Sequence, residues 1–423
     1  MLEIFKFGGA SVKDVKSINN MLTIIKEYDN SNIIIVVSAM GKMTNAFENL
    51  LSQYFNGNKE GIESAFENIY KFHFNIINNL FPKNHLVYQI VENKFSEIRN
   101  KLTATSSLNY DFEYDQLVSY GEILSSLIIH NYFVLNSLNA DWLDIRNIIK
   151  SDNTFRDAKV FWKNTETKTK KAFKACFEMK KINYVVTQGF IASSRKGYTT
   201  TLGREGSDYT ASILGYCLNV KRIVIWKDVA GFLNADPKIF QNTVKLDYIS
   251  YKDSIELAYY GASIIHPKTI KPLQNKDISL HVKSFLDPKS KGSIISNEFE
   301  TKHIPCYIYK QNQTLISISP KDFSFINERN IQYIFNVINK YKIKINIMQN
   351  SAISFSICID SCNQIEKFIE AISKKFVAKY NDNLHLYTIK YYDEKIKDQL
   401  IAGREVVLEQ KSRNTIQLLI KSK

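Results

Sequence analysis

Short runs of apolar, β-branched residues alternate with longer segments of helical periodicity through the first two thirds of the chain. Such runs, bounded by glycine and turn residues, are typical of strands that are buried on both faces of a parallel sheet. The pattern therefore predicts an α/β fold with a mostly parallel central sheet and helices on both faces. The predicted strands are Leu2 to Phe7, Ile33 to Ser38, Tyr184 to Thr187, Arg222 to Trp226 and Ser279 to Val282.

Residues 60 to 137 have a mostly helical pattern instead. Between Tyr114 and Ile128 the apolar side chains recur at the spacing that places them on one stripe of a helix. We expect these residues to form a helical layer or a lid over the sheet. Because ligands of open α/β sheets bind beyond the carboxyl ends of the strands, the turns after the first four strands are where chemistry should be sought.

A second pattern begins near residue 300, after a loop-like segment from Asp287 to Gly292. It predicts elements in the order βαββα with further strands, which is typical of a ferredoxin-like α+β region. We therefore expect one domain over 1–297 and a second region over 298–423. The predicted elements are strands at Thr314 to Ser319, Ile343 to Met348, Ile353 to Ile359, Leu384 to Ile389 and Thr415 to Ile420, and helices at Glu328 to Tyr341 and Asn363 to Ser373.

The composition is that of a globular protein, with 44% hydrophobic and 23% charged residues. The longest apolar stretch, Ile123 to Leu135, is interrupted by polar residues and falls short of the ~20 apolar residues that a membrane span needs. The N-terminus has no signal-peptide pattern. Five cysteines without metal-site spacing fit a reducing compartment. We expect a cytoplasmic protein without a membrane partner.

The formal net charge of +14 invites a nucleic-acid interpretation, because clustered lysines and arginines neutralise phosphates. The lysines are instead spread along the whole chain, among many isoleucines, asparagines and tyrosines. Such a diffuse charge is typical of a solvated surface that helps to attract anionic ligands. We therefore expect no nucleic-acid partner.

The first candidate for chemistry is the segment Lys6-Phe7-Gly8-Gly9-Ala10-Ser11-Val12, where the first strand is expected to lead into a helix. Glycines let the backbone approach phosphate oxygens, the helix N-terminus favours an anion, and Lys6 adds a full positive charge. An ordinary strand-to-helix turn is the alternative. The chain has no Walker A sequence, since Gly41-Lys42 is followed by Met43.

Two further segments follow predicted strands. Gly203-Arg204-Glu205-Gly206-Ser207-Asp208-Tyr209 precedes a helical pattern, so its small and hydroxylated residues can hold an anion, while Arg204 can bind a carboxylate through two hydrogen bonds. It can equally be a helix cap with Ser207 or Asp208 at the N-cap. The segment from Lys227 to Lys238 can be a glycine turn followed by an Asp-Pro turn. The three segments together, each at a strand end, favour the functional interpretation.

These segments resemble the aspartate kinases, within the wider amino acid kinase family. Lys6 to Val12 is similar to their KFGG(T/S)SV opening, Thr201 to Ala211 to TLGRGGSDYTA, and Lys227 to Pro237 to (T/K)DVxGxxxxDP. The resemblance spans residues 6 to 267. Further matches are Val37-Ser38-Ala39-Met40-Gly41 with Thr44-Asn45, Ser119-Tyr120-Gly121-Glu122, Thr187-Gln188-Gly189-Phe190 and Tyr260-Gly261-Ala262-Ser263-Ile264-Ile265-His266-Pro267.

The resemblance implies a kinase of the carbamate kinase-like fold that transfers the γ-phosphoryl of ATP to the side-chain carboxylate of L-aspartate. The product, 4-phospho-L-aspartate, begins lysine, threonine, methionine and diaminopimelate biosynthesis. Mg²⁺ is expected to arrive with ATP rather than in a site made by the protein alone. The implied catalytic residues are Lys6 and Asp208, the substrate-binding residues Thr44, Glu122, Arg204 and Ser207, and the nucleotide-binding residues Gly8, Gly9, Ser11, Lys227, Asp228, Leu233, Lys238 and Ser263.

Within these implied roles, Lys6 holds the γ-phosphoryl, Asp208 aligns that lysine, Glu122 meets the substrate ammonium and Arg204 a carboxylate. The chain departs from the family at two positions. Glu205 stands where many relatives have glycine. Its carboxylate either lies beside the segment Gly203 to Tyr209, here named the substrate loop, or faces solvent. Ser263 stands where many have lysine, and Lys227, which replaces a threonine, offers a compensating charge.

The region 298–423 resembles the ACT-type regulatory domains of aspartate kinases, which bind end-product amino acids. Lysine-sensitive relatives carry acidic residues where this chain has Asn346 and Ala352, and an amide and a methyl group cannot replace two carboxylates. Few residues follow the first module, so a second one is expected to be shortened. We expect feedback inhibition by lysine or threonine to be weak or absent, and the region to support a homodimer.

Two other functions stay open at this stage. One is an amino-acid sensor built on an inactive kinase domain, which the presence of Lys6, Glu122, Arg204 and Asp208 disfavours. The other is a different amino acid kinase, acting on glutamate or a nucleoside monophosphate. The Arg204-containing segment and the ACT-like region disfavour it.

Overall fold

The computed structural model describes residues 2–28, 31–262, 265–298, 303–322 and 324–421. The chain divides into two compact units. The first consists of Met1–Phe232, Lys245–Ile255 and Ser263–Lys302, and the second of Leu233–Val244, Glu256–Ala262 and His303–Lys423. A single boundary between residues 297 and 298 therefore does not describe these units, because two short earlier segments pack with the C-terminal residues.

Strands and helices alternate along the first 298 residues. The strands are β1 (Leu2–Phe7), β2 (Asn32–Val37), β3 (Ala140–Leu143), β4 (Lys150–Ser151), β5 (Tyr184–Gln188), β6 (Ile191–Ser194), β7 (Thr199–Thr201), β8 (Arg222–Lys227), β9 (Phe232–Leu233), β10 (Lys245–Leu246), β11 (Tyr248–Ile249), β12 (Ser279–Ser284) and β13 (Ser293–Ile295). The helices are α1 (Val15–Lys26), α2 (Met43–Phe55), α3 (Lys59–Leu80), α4 (Val87–Thr103), α5 (Tyr110–Val118), α6 (Tyr120–Leu135), α7 (Trp162–Lys174), α8 (Gly206–Leu218), α9 (Tyr251–Tyr260) and α10 (Pro267–Gln274).

The central sheet of the first unit contains, among the described residues, eight strands in the order β11-β13-β12-β8-β1-β2-β5-β3. Every neighbouring pair is parallel except β12 with β13. The five predicted strands all lie in it, and the prediction of a mostly parallel sheet is confirmed. The three short strands at its ends, β3, β11 and β13, carry too few apolar residues for the pattern to reveal them.

The sheet is buried on both faces because its strands are apolar at consecutive positions. In β1, Phe5 and Phe7 pack into the core formed with α1 to α6, whereas Ile4 is buried outside that cluster. Helix α8 contacts β1, β2 and β8, and α7 and α10 pack against α8. The predicted helices on both faces are therefore confirmed. The predicted helical layer over 60–137 corresponds to α3 to α6.

The register of the central strands sets where the sheet edge lies. Phe7 is paired with Val37 of β2 on one side and with Trp226 of β8 on the other. Lys227, the last residue of β8, therefore lies at the same carboxyl edge as the turn that follows β1. A small separate sheet, β4-β6-β7, lies in the same unit.

The second unit is an antiparallel sheet with helices, as predicted for an α+β region. Its elements are β14 (Cys306–Pro320), α11 (Glu328–Lys340), β15 (Ile345–Asn350), β16 (Phe355–Asp360), α12 (Ile365–Ser373), β17 (Phe376–Lys390), α13 (Glu394–Ile401), β18 (Val406–Lys411) and β19 (Thr415–Lys421). Six strands of the described residues form one sheet in the order β15-β16-β14-β17-β19-β18.

Two long strands join the halves of this sheet. The C-terminal part of β14 pairs with β16 and with the start of β17, while Cys306 to Lys310 pair with the end of β17, next to β19. The sequence pattern missed Cys306 to Lys310, which precede the first module but extend the sheet beside β19. The part of the sheet that contains β18 and β19 therefore includes residues from before the first module as well as residues that follow α12.

Among the described residues, we find no helix whose length and hydropathy match a bilayer span.

Leucines at the two ends of α6 test the placement of this helix against the sheet. Leu124 is fully buried in the core, whereas Leu135 is 40% exposed. We expect Leu124→Ala to lower the free energy of unfolding by ~2–5 kcal/mol, because it leaves a cavity, and Leu135→Ala by about 0.5 kcal/mol or less. Urea unfolding followed by tryptophan fluorescence measures the difference, since all three tryptophans lie in the first unit. Equal losses in the two variants would contradict the placement.

Candidate active site

A cavity of about 430 Å³ opens at the carboxyl edge of the central sheet, within the first unit. Seven of its lining side chains belong to lysine, arginine, aspartate or glutamate. The lining residues are Lys6, Ser38, Thr44, Tyr114, Glu122, Arg156, Phe190, Gly203, Arg204, Glu205, Gly206, Ser207, Asp208 and Lys227.

The buried carboxylate of Asp208 lies between two lysines. Its oxygens are 2.6 Å from the Lys6 amine and 3.5 Å from the Lys227 amine. Burial alone would raise the pKa of Asp208, but the two ammonium groups outweigh burial and hold that pKa below its ordinary value. Asp208 also lies in the first turn of α8, where the helix dipole favours a negative charge. The three charges therefore fix one another at the sheet edge.

The glycine turn after β1 lies beside Lys6. A Cβ atom on Gly8 would be 3.4 Å from the Lys6 amine, and one on Gly9 would be 2.8 Å from the carbonyl oxygens of Ala39 and Gly41. Position 9 therefore admits only glycine without a shift of the backbone. Ser11 is buried in the short 3₁₀ helix that follows. The predicted phosphate role of these residues stays a prediction, supported by their proximity to the lysine.

Glu122 is a buried carboxyl group that is unbalanced, in that no cation of the described residues forms an ion pair with it. Its Oε1 accepts a hydrogen bond of 3.2 Å from the backbone N–H of Ala39, and its Oε2 has no hydrogen-bond partner among the described residues. Burial raises the pKa of Glu122 to about 8. Such a group is costly unless a cation enters the cavity to meet it. The site is thus arranged to receive a positively charged ligand at Glu122.

The other predicted substrate residues line the same cavity. Thr44 is in the first turn of α2, and Ser207 is in the first turn of α8. Ser207 packs against Gly189, because a Cβ atom added to Gly189 would be 2.4 Å from the Cβ atom of Ser207. Arg204 is exposed and forms no ion pair with another residue in the described ranges. The structure therefore brings Lys6, Thr44, Glu122, Arg204, Ser207, Asp208 and Lys227 together.

The remaining predicted nucleotide residues are placed differently. Asp228 is exposed in the turn after β8. Leu233, half-buried, and Lys238, exposed, belong to the second compact unit. Ser263 lies outside the described residues. Their nucleotide-binding roles stay predictions.

Glu205 does not face solvent freely, in contrast to one of the two alternatives for this position. It is partly buried, lines the cavity, and accepts a 2.7 Å hydrogen bond from the backbone N–H of His266. Burial raises the pKa of Glu205, although the nearby Lys227 acts in the opposite direction. Its backbone has a φ of 53° at the start of α8, a conformation that glycine adopts without strain. The carboxylate therefore lies beside the substrate loop.

The sequence did not single out four lining residues as site residues. Ser38 and Phe190 lie within segments that match the family, so a signal for them was present in the sequence. Tyr114 was read as part of an apolar stripe, and its ring is indeed buried. Arg156 follows no motif, and only the packing of its loop against the cavity reveals it.

No group of three or more histidine, cysteine, aspartate or glutamate side chains suited to a metal ion is found in the part of the chain that the structure describes. The cations Lys6 and Lys227 suit the anionic oxygens of a phosphate group.

Comparison with known proteins places these features in a family. Residues 1–284 match the model of the amino acid kinase family. Lysine-sensitive aspartokinase 3 of Escherichia coli is 28% identical over 362 residues, which cover 85% of this chain and 78% of that protein. Aspartokinase 1 of Arabidopsis thaliana, a chloroplast protein, is 28% identical over 371 residues, 84% of this chain and 63% of that protein.

The fold is also similar to a solved structure. The crystal structure of E. coli aspartokinase III in complex with aspartate and ADP superposes with a TM-score of 0.84 at 23% identity, covering 100% of this chain and 96% of that one. This similarity confirms the predicted fold class.

The unbalanced Glu122 predicts a pH dependence for amino-acid binding. Only the ionised carboxyl attracts an ammonium group, and its pKa in the empty site is raised to about 8. We therefore expect kcat/KM for aspartate, the amino acid implied by the sequence resemblance, to rise with pH up to about 8 and then level off. Glu122→Gln should remove this rise and lower kcat/KM by ~10–100-fold, as expected for the loss of a charged hydrogen-bond partner.

The control for this measurement is Glu166→Gln, since Glu166 pairs with Lys170 on the surface of α7. This variant should keep the wild-type profile. A Glu122→Gln enzyme with an unchanged pH profile would show that Glu122 does not meet the ammonium group.

Proposed function

The chain belongs to the amino acid kinase family, and from this premise we propose that it is an aspartate kinase. It transfers the γ-phosphoryl of ATP to the side-chain carboxylate of L-aspartate and forms 4-phospho-L-aspartate. The observation that carries the proposal is the charge pattern of one cavity, where the buried, unbalanced Glu122 faces a space shared with Lys6, Arg204 and Lys227.

Aspartate has the complementary charges. Its ammonium group matches Glu122, and a carboxylate matches the exposed guanidinium of Arg204, which can bind it through two hydrogen bonds. Thr44 and Ser207 add hydroxyl donors from the first turns of two helices. A substrate with one cation and two anions uses both signs of charge in the cavity. The names of the curated relatives, aspartokinases from E. coli and A. thaliana, agree with this choice.

The reaction needs little covalent help from the protein. An ionised carboxylate oxygen attacks the γ-phosphorus, the bond to the oxygen that bridges to ADP breaks, and ADP leaves with that electron pair. No general base is needed, because the attacking oxygen carries no proton. Lys6, held in place by Asp208, stabilises the charge on the transferred group, and Lys227 extends this stabilisation along the nucleotide.

Magnesium bound to ATP neutralises charge on the β- and γ-phosphates. Two carboxylates of the cavity already have partners, since Asp208 pairs with both lysines and Glu205 accepts from the backbone N–H of His266. We therefore propose that the ion arrives with the nucleotide.

A test of the activity is the formation of aspartyl hydroxamate, together with release of ADP, when the protein is given ATP, Mg²⁺ and aspartate. We expect aspartate-dependent turnover, and a loss of ~10²–10³ in kcat for Lys6→Met, because it removes a preorganised positive charge from the transition state. Lys16→Ala, on the exposed face of α1, should keep wild-type kcat.

ATP consumption that does not depend on aspartate, or none at all, would refute the assignment. An inactive amino-acid sensor would show aspartate binding without ADP release.

We further propose that feedback control is weak and that lysine and threonine are poor effectors. In the second unit the side chain of Asn346 is already occupied, because it accepts from Lys310 at 2.8 Å and donates to Gln313 and Asp360 at 2.7 and 2.8 Å. It offers no carboxylate to a ligand ammonium group, and the side chain of Ala352 has no polar atom.

Activity measured with about 10 mM of either amino acid should therefore fall by less than about twofold. This concentration is well above Kd values of ~1 μM to ~1 mM. The same assay without effector provides the reference. Strong inhibition by lysine or by threonine would contradict the proposal.

We also propose a homodimer. Strand β15 ends the sheet of the second unit, and no other described strand pairs with its outer edge, which a second copy can meet. Met348 on this strand and Ile353 after it are half exposed, at 54% and 51%. The cytoplasmic location stays a prediction from the sequence.

A further inference from the structure

We propose that Arg156 is a second guanidinium of the substrate pocket, which binds the carboxylate that is not phosphorylated and so selects a dicarboxylic amino acid. This inference deepens the proposed aspartate kinase function and rests on it. Arg156 lines the cavity together with Arg204.

The backbone of Arg156 adopts an unfavourable conformation. Its φ is 65°, in the left-handed region that a residue with a Cβ atom rarely adopts. Glycine would occupy this position without that cost. Residues held in such conformations concentrate at functional sites, where the surrounding structure maintains them. A function of the guanidinium would explain why position 156 has an arginine and not a glycine.

Asp115 is the group that maintains this conformation. Its buried carboxylate accepts from the backbone N–H of Arg156 at 3.2 and 3.1 Å, and from the backbone N–H and hydroxyl of Thr201 at 2.9 and 2.7 Å. Burial raises the pKa of Asp115 to about 6, so the group is ionised at neutral pH. It thus ties the Arg156 turn to the end of β7, immediately before the substrate loop.

The side chain of Arg156 is held as well. Its guanidinium carbon lies 4.4 Å from the centre of the Tyr114 ring, and the ring is fixed by a 2.7 Å hydrogen bond from its hydroxyl to Glu48. Asp111 is 3.2 Å from one guanidinium nitrogen, with both side chains about half exposed. A guanidinium has five N–H donors, so this single contact leaves most of them for a ligand.

The turns that carry the two arginines adjoin each other. A Cβ atom on Gly203 would be 2.6 Å from the side chain of Asp157 and 3.3 Å from the carbonyl oxygen of Arg156. Arg204 is the next residue after Gly203. The two guanidiniums therefore start from neighbouring points on one side of the cavity and can bind a single carboxylate together.

The phosphoryl end of the cavity is built from different elements. Lys6 and Lys227 belong to the neighbouring strands β1 and β8, and both pair with Asp208 of α8. The backbone of Arg156 donates instead to Asp115 of α5, which also accepts from Thr201 of β7. The carboxylate at the lysines is the one that accepts the phosphoryl group, which leaves the other carboxylate to the arginines.

Arg156→Gly tests this role without disturbing the fold, since glycine relieves the backbone strain. Calorimetry should show a ~10-fold rise in the Kd of L-aspartate, the size expected for one partly exposed charged hydrogen bond. The Kd of aspartate α-amide, which lacks the second carboxylate, should change less than twofold. The thermal midpoint should stay the same or rise, and the KM for ATP should not change. Lys181→Gly is the control, because Lys181 is another exposed cation with a positive φ, of 56°.

Each other outcome overturns the inference. Equal losses for aspartate and its α-amide would place Arg156 on another part of the substrate, and an effect on ATP alone would assign it to the nucleotide. A lower thermal midpoint with unchanged aspartate binding would make the residue structural. Wild-type protein that binds aspartate in the calorimeter but releases no ADP would refute the kinase function alone, whereas failure to bind aspartate would refute both.

Discussion

The triad of charges formed by Asp208 with Lys6 and Lys227 is the constraint on which the site depends. A carboxylate buried at this depth is stable as an anion only because two ammonium groups and a helix N-terminus surround it. In return, the anion holds both amines at the sheet edge in one arrangement. The strands β1 and β8 and the helix α8 are thereby linked by ion pairs at the carboxyl edge of the sheet, which lines the cavity.

The rest of the cavity follows from how that edge is surrounded. The first turn of α6 places the buried Glu122 in the wall of the cavity, and the substrate loop before α8 supplies Arg204. A second buried acid, Asp115, fixes backbone segments as Asp208 fixes the two amines. It accepts hydrogen bonds from the backbone N–H groups of Arg156 and Thr201, which lie in separate segments. The pocket is therefore ordered by two buried carboxylates with different partners, and a third buried carboxyl group, Glu122, lines it with one oxygen that has no hydrogen-bond partner among the described residues.

The sequence predicted much of this arrangement because the decisive signals are local. Each of the five central strands is a short run rich in apolar residues, and the residues at the strand ends occur in short, recognisable segments. Arg156 could not be predicted, because its place depends on a turn folding back onto Gly203, and nothing near it in the chain indicates that contact. Glu205 was ambiguous for the same reason, since its hydrogen-bond donor, His266, lies 61 residues away. Residues 306–310 were missed because their pairing partners lie about 80 residues further along.

The division of the chain into units also has a consequence for how such a protein changes over evolutionary time. Within the second unit, the side chain of Asn234 donates to the carbonyl oxygen of Pro305, and the backbone N–H of Tyr307 donates to the carbonyl oxygen of Asn234. The stretch around Asn234 thus owes its hydrogen bonds to residues encoded some 70 positions downstream. Deleting the C-terminal residues would remove these hydrogen-bond partners from the segment between β9 and β10. Segments of the two units alternate along the sequence, so no single truncation of the chain removes one unit and leaves the other whole.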